Sequence, residues 1–286
     1  MTRGVLIVAL AAVLAGCCGP RGGNGAPPRL DPPPAYAELA ARYNERCADL
    51  DRLKAAVSLV ITSRDERGGK RTDQVEANLQ IIQPRLVSLR IDKVGQTLAI
   101  LGSNESRYWW IDLAETPTAR VGLHERATPA AAEAFGVPVH PLDLIDVLGV
   151  RSLPAEGASV ARATDGTVGV TLPPRGAGWG HTRVYVDEAT AQPSRVEIAD
   201  AAGRVVIRAA LSRYEGVRVA GNTFSPAKVA TRVTIEVPDA GVEVVVGVSA
   251  PENPGKDMRT KPFELETLLR AYGVDQVIEV DAGVTP

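Results

Sequence analysis

The stretch "AAVSLVITSRDERGGKRTDQVEANLQII", residues 55–82, decides the fold. Apolar residues recur at every second position: Val57, Leu59 and Ile61 before the "ERGGKR" segment, then Val75, Ala77, Leu79 and Ile81 after it. Gln74, Glu76, Asn78 and Gln80 occupy the alternate positions of the second run. A period of two is that of a strand with one face buried and one wet, and the Gly-Gly pair supplies a hairpin turn. An isolated hairpin is marginal in water, so the apolar face of this one demands further strands or a helix.

Both are available. "RLVSLRI", "QTLAILGS" and "SRYWWIDL" follow at short, turn-bounded intervals, as in an antiparallel meander. Strand patterns resume with "TVGVTL", "HTRVYVDEA", "SRVEIAD", "GRVVIRAALSRYEG", "PAKVATRVTIEV" and "GVEVVVGV". Within residues 226–237, Ala227, Val229, Thr231, Val233, Ile235 and Val237 face one way, and Lys228, Arg232, Thr234 and Glu236 the other. That alternation suits an antiparallel sheet covered on one face. In "RYWWID", residues 107–112, Tyr108 and Trp110 share one face while Trp109 and Ile111 share the other. Tyr108, Trp109 and Trp110 are therefore candidates for an aromatic rim at a cavity or membrane surface, against plain packing under helices.

Helical periodicity is confined to a few segments. "YAELAARYNERC" sets Tyr36, Leu39, Ala40, Tyr43 and Cys47 on one stripe, where Cys47 reads as a buried, inert thiol. "TPAAAEAFG" carries Thr128 as N-cap, Pro129 at the first helical position and Gly136 past the end. "HPLDLIDVLG" places Leu142, Ile145 and Leu148 on a stripe closed by Gly149, and "KPFELETLLRAYG" runs from Pro262 to Gly273. A sheet of about ten twisted strands curls, splits or closes. The expected class is α+β: a single curved antiparallel β-sheet forming an open half-barrel, with helices covering its concave apolar face. The candidate ligand-cavity residues are Leu59, Leu79, Ile81, Leu98, Ile100, Val196, Val229 and Ile235.

Catalytic patterns are not found. G-x-S-x-G, H-E-x-x-H and Walker sequences do not occur, and His124, His140 and His181 are widely spaced on unrelated elements. Neither a metal nor another cofactor is implied, and the chain reads as a non-enzyme. Asp143 and Asp146, one helical turn apart, read as a solvated face. "PPRGAGWGH", residues 173–181, reads as a loop at the barrel mouth. A formal net charge of -2 argues against a nucleic-acid partner held by counterion release.

The amino terminus sets location. "MTRG" and the apolar "VLIVALAAVLAG" that follows are too short to cross a bilayer and match a secretory signal. Leu14, Ala15 and Gly16 ahead of Cys17 resemble the lipobox of bacterial lipoproteins, which implies lipidation of Cys17 and cleavage after Gly16. Cys18 is not Asp, which in that resemblance favours the outer membrane. Residues 18–35, "CGPRGGNGAPPRLDPPPA", form a Pro/Gly-rich tether spanning roughly 50 Å if extended at ~3.1 Å per residue.

The order of elements over residues 36–249 resembles the LolA/LolB-like superfamily of lipoprotein carriers and receptors, closest in pattern to LolB. "SLRIDKVGQTLAIL" looks like the LolB strand–turn–strand with a projecting apolar turn. "FGVPVHPLDLIDVLG" looks like its lid helix, and "QPSRVEIADAAGRVVIRAAL" like the next hairpin. The resemblance implies an open barrel lidded by helices, and places at the projecting turn Val94, flanked by Asp92 and Lys93, where LolB carries an exposed leucine.

The expected organisation is a signal peptide (1–16), a lipidated Cys and tether (17–35), an open-barrel domain (36–249) and a C-terminal extension with a short helix (250–286). The expected function is binding of acyl chains of lipids or lipoproteins, at ~0.8 kcal/mol per buried methylene, in trafficking at the periplasmic face of the outer membrane. The alternative is a structural or sensing envelope lipoprotein with a filled core that binds another envelope protein.

Overall fold

The computed structural model describes residues 31–64, 68–128, 140–176, 179–221 and 225–281. The signal segment, Cys17, most of the tether and the "PAAAEAFG" part of the second helical pattern lie outside the described residues.

Helix α1 (Tyr36–Cys47) leads into β1 (Arg52–Arg64) and β2 (Lys70–Ile82), the hairpin expected from residues 55–82. Its register pairs Val57 with Ala77 and Leu59 with Val75, so the apolar residues of both strands share a face. The meander continues outward through β3 (Leu86–Lys93), β4 (Gln96–Ser103), β5 (Arg107–Asp112) and β6 (Thr118–Leu123). After the short helix α2 (Asp143–Val147), a second run starts at the far edge. It comprises β7 (Ser159–Arg162), β8 (Val168–Leu172), β9 (Trp179–Val186), β10 (Pro193–Asp200), β11 (Val205–Gly216), β13 (Lys228–Val237) and β14 (Val242–Asn253). The two-residue β12 (Arg218–Val219) pairs with β14. Helix α3 (Leu265–Tyr272) and β15 (Gln276–Glu279) close the described chain.

All 15 strands of the described residues belong to one sheet, ordered β15-β6-β5-β4-β3-β2-β1-β14-β13-β11-β10-β9-β8-β7, with β12 beside β14. The two meanders join where β1 pairs antiparallel with β14, matching Leu59 to Val246 and Ile61 to Val244. The sheet is mixed rather than wholly antiparallel: β12 runs parallel to β14 and β15 parallel to β6. β12 follows β11 after one residue and keeps its direction, which is that of β14, and β15 is brought beside β6 after α3; neither arrangement is visible to periodicity.

Curvature follows from the packing. Val87 and Leu89 of β3 share one apolar cluster with Val168 and Val170 of β8. These strands stand eight places apart in the sheet, about 38 Å if it were flat. The sheet therefore wraps around that cluster, and α1 (Leu39, Tyr43, Cys47) and α2 (Leu144, Ile145, Val147) fill the concavity. No pairing joins β7 to β15 among the described residues, so the barrel is open.

The other face is covered differently. Leu265 of α3 and Val274 just beyond it pack on Ile100, Trp109, Ile111, Ala119 and Val121 of β4–β6, with Leu268, Leu269 and Tyr272 alongside. Gly273 ends α3 at φ 63, the left-handed cap conformation.

Candidate functional site

Six of the cavity candidates lie together. Leu59, Leu79, Ile81, Val196, Val229 and Ile235 are all buried in the concave cluster, beneath α1 and α2, and Leu98 packs against its edge half-buried. Ile100 does not join them; it packs on the opposite face with Trp109 under α3. The cause is a β-bulge. β3 and β4 pair Ile91 with Ala99 but Asp92 with Thr97, so Leu98 is an extra residue and the alternation shifts phase there. Leu98 and Leu101 end on the concave face and Ile100 on the convex one.

The aromatic strand is split in the same way. Trp109 is fully buried on the α3 side, while Tyr108 and Trp110 face the other way with Ala127. Gly102 stands opposite Trp109 in the ladder, and a Cβ there would lie 2.5 Å from the indole Nε1, so the ring lies flat on bare backbone.

The concave cover is attached by polar groups. Asp143 and Asp146 of α2 are buried, not solvated as their spacing suggested. Arg175, from the 173–181 loop, donates to Asp143 and lies 3.3 Å from Asp146, which also accepts from Arg151. Asp143 takes a further bond from the His140 backbone N–H at 3.0 Å. Burial pushes the Asp143 carboxyl above its ordinary range, against the pull of Arg175. The segment after α2 is tied to α1: the Arg46 guanidinium donates to the Gly149 carbonyl at 2.6 Å and Tyr43 to the same oxygen at 3.1 Å. Asn44 and Leu153 exchange two bonds, at 2.9 and 2.7 Å. Cys47 sits buried beside Arg46, and burial pushes its thiol up to about 11, which leaves it unreactive.

A cavity of about 600 Å³ opens next to this cover, lined by Arg85, His124, His140, Leu142, Arg175 and Trp179 among others. His124 and His140, sixteen positions apart in sequence and on different elements, meet there with ring centroids 5.5 Å apart. Tyr108 packs on both rings, at 5.8 and 4.4 Å, and Trp179 meets His140 edge-on at 5.9 Å. Burial holds both imidazoles below their usual range, His140 well below, and Arg175 adds to this. Sequence reasoning missed this group, because nothing in the spacing of His124, His140 and Trp179 announces that β6, the α2 approach and β9 converge.

At the far end of the β3–β4 hairpin, Val94 and Gly95 form a two-residue turn with φ of 51 and 79. Both central residues have positive φ, the signature of the type I′ turn that matches strand twist. Val94 is 100% exposed, and positive φ is unusual for a β-branched residue.

No family model and no curated protein matches the sequence. Solved structures do match the fold. A putative outer membrane lipoprotein-sorting protein domain from Vibrio parahaemolyticus superposes with a TM-score of 0.55 at 13% identity, covering 81% of this chain and 97% of that one. A DUF1329 family protein from Desulfovibrio piger gives 0.53 at 13% identity, covering 80% and 98%. A LolA superfamily protein from Nitrosomonas europaea gives 0.52 at 13% identity, covering 81% and 98%. The fold is thus LolA-like.

Proposed function

We propose that this chain is an envelope lipoprotein, anchored through Cys17, whose concave face receives the acyl chains of lipids or lipoproteins once α2 swings aside. The observation that carries the reading is how α2 is held. Its carboxylates are buried against Arg175 and Arg151, so its cover of the apolar concavity depends on ion pairs as well as apolar packing. Buried ion pairs return little net stability after desolvation, so such a helix can be exchanged for a competing apolar guest at modest cost. The LolA-like fold supports the same reading, as does the placement of six cavity candidates under α1 and α2.

Val94 extends this reading. Fully exposed at a hairpin tip, it suits contact with a membrane surface in the manner that the LolB resemblance implies. The second reading, a protein-binding envelope lipoprotein with a filled core, is favoured by the burial of Leu59, Leu79, Ile81, Val196, Val229 and Ile235 beneath the helices. Native mass spectrometry of the protein purified without detergent, then offered lysophospholipid and acylated peptide, separates the two. Stoichiometric adducts support chain binding; a clean mass throughout supports the filled core.

A further inference from the structure

The His124/His140 cavity has a hydrogen-bonding asymmetry that the acyl-chain reading does not use. The Leu142 backbone N–H donates to His140 Nδ1 at 3.1 Å, so in the neutral ring the hydrogen sits on Nε2. His124 Nε2 donates to the Asn104 carbonyl at 2.7 Å, which leaves Nδ1 as a bare acceptor. His140 Nε2 and His124 Nδ1 are both buried, and neither has a hydrogen-bond partner among the described residues. His140 is only 4% exposed and lines the cavity. A buried polar atom left unpaired is costly, and here two of complementary sense sit on neighbouring rings whose centroids are 5.5 Å apart.

We propose that this cavity binds a polyol headgroup, one hydroxyl of which accepts from His140 Nε2–H and donates to His124 Nδ1. A hydroxyl is the small group that does both at once. Trp179 supplies apolar surface for the carbon skeleton of a glycerol or sugar, and Arg85 and Arg175 line the same cavity and supply positive charge for a phosphate attached to it. Asp143 and Asp146 are already engaged by Arg175 and Arg151, and Glu125 is exposed, so the cavity tolerates a neutral polyol or its phosphate. The proposal deepens the acyl-chain reading: the polar end of a glycerophospholipid would rest here while its chains enter beneath α2.

The test compares two lipids of equal charge and chain length, dioctanoyl phosphatidylglycerol and dioctanoyl phosphatidylpropanol, by calorimetry on the full mature chain. Free glycerol 3-phosphate forms a third arm. The glycerol lipid is expected to bind at least about tenfold more tightly than the propanol lipid, because the analogue leaves two buried atoms unpaired. The ¹⁵N signals of His140 Nε2 and His124 Nδ1 are expected to shift with it alone. His140→Phe is expected to abolish the tenfold preference; should that variant fail to fold, the wild-type comparison and the imidazole signals still decide. Glycerol 3-phosphate binding with the same shifts identifies a free polyol phosphate as sufficient, whereas binding of the lipid only identifies a headgroup. Equal affinity for the two lipids overturns the polyol site and leaves chain binding standing. Binding of glycerol 3-phosphate without either lipid keeps the polyol site and removes chain binding. No binding in any arm overturns both.

Discussion

The two faces of this sheet are covered by helices of opposite character. On the convex side α3 presents Leu265, Leu268, Leu269 and Tyr272 to Ile100, Trp109 and Val121, an apolar seal. On the concave side α2 adds two buried carboxylates to its apolar contacts, and its neighbours answer with Arg151 and Arg175. Apolar packing returns free energy in proportion to the area removed from water, whereas a buried ion pair returns little net stability yet is costly to leave with one partner missing. The seal suits permanence, and the latch suits opening. Four measurements break or sharpen that contrast.

The largest effect belongs to the seal. Trp109→Ala empties a fully buried site beneath α3 and is expected to cost about 4 kcal/mol in denaturant unfolding. Acyl-chain binding per folded molecule is expected to persist; its loss would mean that the two faces are coupled. Next comes the latch. Arg175→Met strands Asp143 as an unpaired buried charge and is expected to cost roughly 3 kcal/mol. Its partner variant Asp143→Asn, added to it, should restore most of that loss. If both proteins have wild-type stability, the ion pairs do not hold α2.

The third contrast is one of pH. His124 and His140 have folded values held below 6.5 by burial, so the unfolded chain takes up their protons first. Their contribution is therefore complete above about pH 6.5 and is lost as pH falls below it towards the folded values, at no more than about 1.4 kcal/mol per pH unit for each. Unfolding curves between pH 7.5 and 5.5 should show this slope, and His140→Phe should reduce it. A flat profile would place both imidazoles in water. The smallest effect is at Val94. Glycine there relieves a β-branched residue at φ 51 but frees the unfolded chain, for a net gain of at most about 1 kcal/mol. Sedimentation with vesicles reports its other role: Val94→Gly should bind them more weakly, and unchanged binding would remove the hairpin tip from any membrane contact.

What was legible in the sequence was whatever local periodicity encodes. The 55–82 hairpin, the two-sided alternation of 226–237 and the amphipathic α1 were all readable, because burial on one face imposes a period that a single segment carries. Arg46 was not: a charged residue between the stripe positions Tyr43 and Cys47, it is buried where the Gly149 and Lys228 carbonyls need a donor. Ile100 stands two positions after Leu98 and would share its face in a regular strand, and one bulge residue reverses it. Asp143 and Asp146 looked solvated because their partner Arg175 lies some thirty residues away, in a loop. The histidine pair was illegible for the same reason, since its meaning exists only once distant segments converge. The antiparallel expectation failed at β12 and β15, too short to carry a signal of direction.

The most direct test is hydrogen–deuterium exchange with and without saturating dioctanoyl phosphatidylglycerol, read at residues 144–150 and 265–274 in one experiment. If the concave face takes acyl chains by displacing α2, the amides of Leu148, Gly149 and Val150 should exchange faster with lipid present, since their bonds close the helix and its exit. Those of Leu268, Gly273 and Val274 should stay as protected as before. Unchanged exchange in both segments despite bound lipid, or equal deprotection of both, would contradict the distinction between latch and seal.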